Sequence, residues 1–113
     1  LAVATGKSRK GLDRVMDSSG LRDYFHASRT ADETLSKPHP AMLIEIMDEL
    51  GMEAERVLMV GDTTHDLQMA INAGVDAVGV TYGAHPKDQL RELQPLALLD
   101  NFYELRTWLK ANA

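Results

Sequence analysis

The sequence predicts an α/β protein with a Rossmann-like, three-layer αβα architecture, in which helices cover both faces of a parallel sheet. The main observation is that short apolar runs alternate along the chain with segments whose apolar residues follow helical spacing. A second observation is that the clearest apolar run, residues 57–60, shows no polar alternation and ends at Gly61, which is typical of a fully buried parallel strand. With 113 residues, the chain is enough for one domain at most.

Local signals define the elements of the first third. Residues 1–4 are apolar and predict a strand, and Ser8 is a good N-cap for a helix that Gly20 ends. That helix carries three apolar residues on one face: Leu12, Val15 and Met16. Residues 24–28 give a weaker strand prediction, and residues 29–36 read as a polar loop.

Two prolines open the second helix. Pro38 and Pro40 are tolerated there because the first amides of a helix have no intrahelical acceptor. Apolar residues at helical spacing continue until Gly51 ends the helix: Met42, Leu43, Ile46, Met47 and Leu50. These apolar residues are interpreted as core.

The remaining elements follow the same alternation. After the strand at 57–60, Thr63 and Thr64 are candidate N-caps of a helix that Gly74 closes. The later predictions are a strand over 76–81, a loop over 82–86, a short helix over 87–93, a short strand over 96–99 and a final helix bearing Phe102, Leu105, Trp108 and Leu109.

Composition excludes several classes of protein. The 12 Lys and Arg residues against 17 Asp and Glu give a net charge of −5, which argues against a general nucleic-acid binder. The absence of cysteine excludes disulfides, thiolate nucleophiles and cysteine-based zinc sites, and it fits a reducing, cytoplasmic location. No apolar run approaches the ~20 residues of a transmembrane helix, so no membrane partner is expected.

Two carboxylates follow the strand at 57–60. Asp62 lies at its carboxyl end, where open α/β sheets place ligands, and Asp66 falls in the first turn of the next helix. Two converging carboxylates repel each other unless a proton or a cation lies between them, and one or two carboxylates suit Mg²⁺. The alternative is structural, because an acidic residue near a helix N-terminus is favourable through the helix dipole alone.

Two further segments could bind phosphate. Thr5 and Gly6 come between a strand end and a helix start, where a hydroxyl and free amides can hold an anion, although a plain turn explains them equally. Lys37, just before the proline-opened helix, could neutralise a phosphate, or it could be an exposed lysine. Residues 4–8 imitate the end of a nucleotide-binding P-loop, but residues 2–4 read as strand, so the phosphate-wrapping loop cannot form.

Taken in order, these segments resemble the haloacid dehalogenase superfamily, and most closely its phosphoglycolate-phosphatase-type branch. Thr5-Gly6 resembles the family's motif II, Lys37 with its proline neighbours resembles motif III, and residues 61–66 resemble motif IV. Two later segments also look like that branch: residues 72–75 and 81–83. Dehalogenases of the superfamily do not need Mg²⁺, so the paired acids favour the phosphatase side.

The resemblance implies a role for each matched residue. Asp62 would hold Mg²⁺ with the support of Asp66. Thr5 and the Gly6 amide would hold phosphate oxygens, and Lys37 would balance charge in the transition state. In such phosphatases an aspartate attacks phosphorus and the resulting aspartyl-phosphate is hydrolysed by water.

One part of the family pattern is missing. Motif I, an apolar strand followed by Asp-x-Asp that supplies the nucleophile and the general acid, has no match, and neither has the cap usually inserted after it. In the family that strand lies between the strands at 1–4 and 57–60, so both should have unpaired edges. We expect a lost segment, another chain or self-association to complete the sheet, or a rearranged sheet.

The sequence therefore predicts that residues 1–113 are a partial core domain with motifs II, III and IV, a fragment of a Mg²⁺-dependent phosphatase acting on a small phosphorylated metabolite. The fragment alone is expected to be inactive, and phosphoglycolate is a substrate by analogy only. The alternatives are a non-catalytic α/β binding or interaction module on the same scaffold and, more remotely, a nucleoside triphosphatase.

Overall fold

The computed structural model describes residues 1–35, 37–81 and 86–112, without the side chain of Phe102, and within them it contains five strands and five α-helices. The strands are β1 (Ala2–Ala4), β2 (Ala27–Arg29), β3 (Leu58–Gly61), β4 (Asp76–Val80) and β5 (Leu98–Leu99). The helices are α1 (Arg9–Ser19), α2 (Ala41–Leu50), α3 (Thr64–Ala73), α4 (Lys87–Glu92) and α5 (Phe102–Asn112). This alternation confirms the predicted α/β fold class.

The predicted helix ends are confirmed in detail. The Ser8 side chain accepts a hydrogen bond from the Gly11 amide at the start of α1. Three helices, α1, α2 and α3, are each followed by a glycine in the left-handed conformation: Gly20, Gly51 and Gly74. Because other residues adopt this conformation only with strain, these glycines stop the helices at the residues that the sequence indicated.

Several predictions differ from the structure in extent or character. The strand predicted over 57–60 as fully buried runs from Leu58 to Gly61, and its Val60 is 40% exposed because β3 has no described neighbour on that side. The strand expected over 24–28 begins later, because residues Arg22–Tyr24 form a 3₁₀ turn first. The strand expected over 96–99 is only two residues long, although the Leu96 amide already donates to the Ala77 carbonyl of β4. Val15, predicted on the apolar face of α1, is 45% exposed, and Leu50, predicted as core at the end of α2, is 38% exposed. Of the predicted loop over 82–86, residues 82–85 lie outside the described residues.

Two apolar clusters cover the two faces of the sheet. Side chains of α2, α3 and α4 pack with Ala77 on one face, and Leu105 of α5 packs with Val78 and Val80 on the other. Neighbouring residues of β4 thus point to opposite clusters, as the pleat of a strand requires. The most deeply buried members include Met42, Leu67, Met69, Leu90 and Val78. Within the described residues, no helix is long and apolar enough to cross a membrane.

The parallel sheet is divided into two parts. β1 pairs with β2, and separately β3 pairs with β4 and β4 with β5, all in parallel. An apolar slot of about 580 Å³ separates β1 from β3. The prediction that these two strands have unpaired edges is therefore confirmed in the described part of the chain.

Candidate functional site

The loop between β3 and α3 is held together by Asp66. Its Oδ2 accepts hydrogen bonds from the amides of Asp62 and Thr63, both at 3.2 Å, and its own amide donates to Thr63 Oγ1 at 3.1 Å. This reciprocal arrangement is a capping box, which satisfies amides that a helix N-terminus otherwise leaves without partners. Of the two candidate N-caps, Thr63 is therefore the one used.

The second oxygen of Asp66 binds a lysine from a distant part of the chain. Lys37 Nζ lies 2.5 Å from Asp66 Oδ1, and the two side chains are 18% and 6% exposed. A buried carboxylate is strongly disfavoured unless it is paired and hydrogen-bonded, and here both oxygens have partners. The ion pair fixes the turn before α2 against the start of α3.

Gly61 makes this arrangement sterically possible. A Cβ atom at position 61 would lie 2.3 Å from Asp66 Cβ and 2.8 Å from its Cγ, far inside van der Waals contact. The end of β3 can approach the first turn of α3 only because residue 61 has no side chain. The glycine is thus required for close approach, and not for an unusual backbone angle.

Asp62 differs from Asp66 in its surroundings. It is partly exposed, and within the described residues no hydrogen bond or ion pair engages its carboxylate, although its amide donates to Asp66. A carboxylate without a partner beside a helix N-terminus is a suitable ligand for a hydrated Mg²⁺, which takes one or two protein carboxylates. In residues 1–35, 37–81 and 86–112 no three histidine or acidic side chains come together as a metal-binding group. The one available carboxylate, with Asp66 beside it, suits an ion such as Mg²⁺ that keeps several of its own waters.

Thr5 and Gly6 follow β1, on the other side of the slot from β3. The Thr5 amide donates to the Arg29 carbonyl, and Thr5 Oγ1 accepts from the Lys7 amide at 3.1 Å. A hydroxyl that accepts one hydrogen bond can still donate another, and within the described residues no acceptor is shown for the Thr5 hydroxyl. Gly6 is exposed, and a Cβ there would meet no atom within 4 Å.

The structure joins three of the five predicted site residues directly. Lys37, Asp62 and Asp66 form one hydrogen-bonded group, whereas no described hydrogen bond or ion pair links Thr5 or Gly6 to that group. Their assignment as phosphate ligands stays a prediction.

A contact that the sequence did not indicate holds the turn before α2, which contains Lys37 and Pro38. Asn72 Nδ2 of α3 donates to the Pro38 carbonyl at 3.0 Å, and Gln68 Nε2 donates to Asn72 Oδ1, also at 3.0 Å. The Gln68–Asn72 pair has the i, i+4 spacing of helix neighbours and was detectable in principle. The bond to Pro38 spans 34 residues and has no local signal.

A polar cluster also fixes the first turn of α1. Arg9 Nη2 lies 2.5 Å from Glu33 Oε1, the Arg9 amide donates to Asp32 Oδ1, and the fully buried Thr30 hydroxyl contacts both carboxylates. The Arg9 hydrogen bond holds the pKa of Glu33 below its usual range. The hydrogen bond from Thr30 does the same for the pKa of Asp32. This cluster ties the segment that begins with Thr5 to the loop after β2.

With this geometry established, comparison with known proteins assigns the family. The sequence model described as haloacid dehalogenase-like hydrolase matches residues 1–80. The chain belongs to this family. A curated relative, the "Probable phosphatase IndB" of Dickeya dadantii, is 44% identical over 106 residues, which cover 93% of this chain and 46% of that protein. The phosphoglycolate phosphatase of Pectobacterium atrosepticum is 35% identical over 93% of this chain and 45% of its own length.

Solved structures agree with the fold. A predicted phosphoglycolate phosphatase from Haemophilus somnus superposes with a TM-score of 0.87 and 27% sequence identity, over 96% of this chain and 49% of that one. The match confirms the resemblance drawn from the ordered motifs and the αβα architecture. The chain spans about half the length of the curated relatives it matches.

Proposed function

We propose that this chain is the part of a Mg²⁺-dependent phosphatase that carries motifs II to IV, and that the whole protein hydrolyses a small phosphomonoester of the phosphoglycolate type. The observation that carries the proposal is the loop in which Lys37 and Asp66 form a buried ion pair beside the carboxylate of Asp62, which has no partner among the described residues. The printed names of the relatives, phosphatase and phosphoglycolate phosphatase, support the reaction class.

Asp62 and Asp66 would have different tasks at the metal site. Asp62 would hold Mg²⁺, because its carboxylate has no partner in the described chain. Asp66 would support it from behind by fixing the amides of Asp62 and Thr63. When bound, Mg²⁺ would neutralise phosphate oxygens and shield them from the carboxylates.

Three residues would bind and orient the phosphoryl group. The Lys37 ammonium has three donors, and among the described residues it uses one, on Asp66, so the others would reach a phosphate oxygen and balance its developing charge. The Thr5 hydroxyl, which accepts from the Lys7 amide, would donate its proton to a phosphate oxygen. The exposed Gly6 amide would add a backbone donor without a side chain in the way.

The attacking group would come from outside this chain. Asp66 has both oxygens engaged, and Asp62 is assigned to the metal, so neither suits a nucleophile. We propose that an aspartate in the half of the relatives' length that this chain does not span attacks phosphorus and forms an aspartyl-phosphate, which water then hydrolyses. The 113-residue chain alone would then have no phosphatase activity.

The test compares the chain with the full-length protein that contains it. The full-length protein should hydrolyse p-nitrophenyl phosphate with Mg²⁺, and the isolated chain should not; turnover by the purified chain would contradict the fragment assignment. Titration calorimetry of the full-length Asp62→Asn variant should show Mg²⁺ affinity reduced by at least roughly tenfold. The control Asp76→Asn changes an exposed aspartate at the start of β4 and should bind Mg²⁺ normally. Equal affinity in both variants would overturn the metal assignment.

A non-catalytic scaffold is the second candidate, and one observation favours it. The Lys37–Asp66 pair is satisfied within the chain, as a purely structural ion pair would be. On this alternative the full-length protein would bind a phosphorylated ligand or a partner without turnover. Absence of phosphatase activity in a folded, Mg²⁺-loaded full-length protein would decide for it.

A further inference from the structure

One helix, α3, holds Lys37 at two points. Asp66 Oδ1 lies 2.5 Å from the Lys37 ammonium, and Asn72 Nδ2 donates at 3.0 Å to the carbonyl of Pro38, the next residue in the chain. The two α3 residues are six positions apart, which corresponds to a rise of about 9 Å along the helix axis. The first contact holds the head of the lysine side chain, and the second holds the backbone beside its base.

The second contact restricts what the first cannot. A lysine has a flexible four-carbon stem, so an ion pair at the ammonium alone is compatible with many positions of the backbone. His39 Nδ1 accepts from the amide two residues later, but this local bond does not reach another element. Among the hydrogen bonds and ion pairs between described residues, those of Asp66 and Asn72 join residues 37–40 to α3. Asn72 therefore fixes the point from which the Lys37 side chain starts.

Gln68 sets the orientation of the Asn72 amide. The Pro38 carbonyl can only accept, so Asn72 must present its NH₂ group to that carbonyl, and Asn72 Oδ1 then accepts from Gln68 Nε2 at 3.0 Å. Asn72 is exposed and Gln68 is partly exposed. Because water competes for exposed hydrogen bonds, we expect these two to affect the position of the turn before α2 and to contribute modestly to stability.

We propose that Asn72 is a positioning residue for phosphoryl transfer: by holding the Pro38 carbonyl, it places the Lys37 ammonium so that the donors not used on Asp66 face the phosphate. The inference rests on the proposed phosphatase function, in which Lys37 balances charge that develops in the transition state. A displacement of about 1 Å can lower a rate by roughly a hundredfold. Since Lys37 keeps its ion pair with Asp66 when Asn72 is changed, the loss should be smaller than that.

The kinetic test uses the full-length protein with p-nitrophenyl phosphate and Mg²⁺. Asn72→Ala should lower kcat roughly tenfold and change KM by less than about twofold, because Lys37 acts on the transition state more than on the bound substrate.

The matched control is Asn101→Ala. Asn101 Oδ1 accepts from the Glu104 amide in the first turn of α5, so its loss should destabilise the protein to a similar extent without lowering kcat. Equal kcat values for Asn72→Ala and Asn101→Ala, or a change in KM alone, would overturn the proposal.

A measurement without substrate separates this inference from the proposed function. In the ¹⁵N-labelled 113-residue chain, the Lys37 ammonium should exchange protons with water roughly fivefold faster in Asn72→Ala than in Asn101→Ala, because a looser turn lets Lys37 leave Asp66 more often. Unchanged ammonium exchange would overturn the positioning role whatever the activity. If ammonium exchange responds but the full-length protein shows no turnover, the phosphatase function is wrong, and the role of Asn72 in catalysis is wrong with it, whereas its hold on Lys37 is confirmed.

Discussion

Replacing Gly61 by alanine should be among the most damaging small substitutions in this chain. The added Cβ would lie 2.3 Å from Asp66 Cβ, about 1 Å closer than the shortest ordinary contact of 3.4 Å. The clashing atom is attached directly to the backbone of α3, so no rotamer change of Asp66 relieves it. Either β3 and α3 must move apart, or Asp66 must leave its three hydrogen-bond partners.

The expected cost combines two effects. Overpacking of a well-packed site costs about 1–3 kcal/mol. Separating a buried ion pair costs about 3–5 kcal/mol, and the lower end applies because Lys37 is partly accessible. A total loss of about 4–6 kcal/mol is a large part of the roughly 5–15 kcal/mol that stabilises a typical domain. The melting temperature should fall by at least about 12 °C.

Gly79→Ala is the matched control, because Gly79 pairs in register with Gly61 across β3 and β4. A Cβ there would lie 2.7 Å from Leu98 Cδ2, the far end of a flexible side chain, so the cost should be about 1 kcal/mol. Urea unfolding of both variants measures the two losses of free energy, and amide exchange at residues 62 and 63 should accelerate in Gly61→Ala alone. If Gly61→Ala loses no more unfolding free energy than Gly79→Ala, the prediction that the Cβ at position 61 clashes with Asp66 is wrong.

Two further predictions concern the polar contacts around the site. Asn72→Ala removes the donor to the Pro38 carbonyl and should cost about 0.5–1.5 kcal/mol of unfolding free energy. The amides at the start of α2 should then exchange faster. An unchanged exchange pattern would show that Asn72 does not hold the turn before α2. Arg9 lowers the pKa of Glu33 in the folded state. The stability that the Arg9–Glu33 contact contributes is therefore present above about pH 4.3 and is lost as the pH falls through the lowered pKa of Glu33. Glu33→Gln removes this titration, and its melting temperature should therefore decline less steeply between pH 5 and pH 3 than that of the unchanged chain; parallel curves would contradict the assignment.

Several features of this protein were decided by local sequence. The end of α1 at Gly20, the N-cap at Ser8 and the first-turn position of Asp66 depend on interactions within one or two helical turns. Such signals can be read directly from neighbouring residues, so the order of elements and the αβα class could be predicted. The ordered motifs then led to the correct family. The same local reasoning placed the strand near Tyr24 too early, because tertiary pairing with β1 selects where β2 begins.

Only the tertiary structure gives a physical reason for the difference between the two acidic residues. By residue type and spacing alone, Asp62 and Asp66 are both candidates for a metal, four positions apart, and the family resemblance assigned them different roles without explaining why. In the fold, Lys37 comes from 29 residues away and takes one oxygen of Asp66, while loop amides take the other, so Asp62 keeps the available carboxylate. Burial makes this difference, because a carboxylate removed from water must find partners, and the path of the chain decides which groups are near enough to serve.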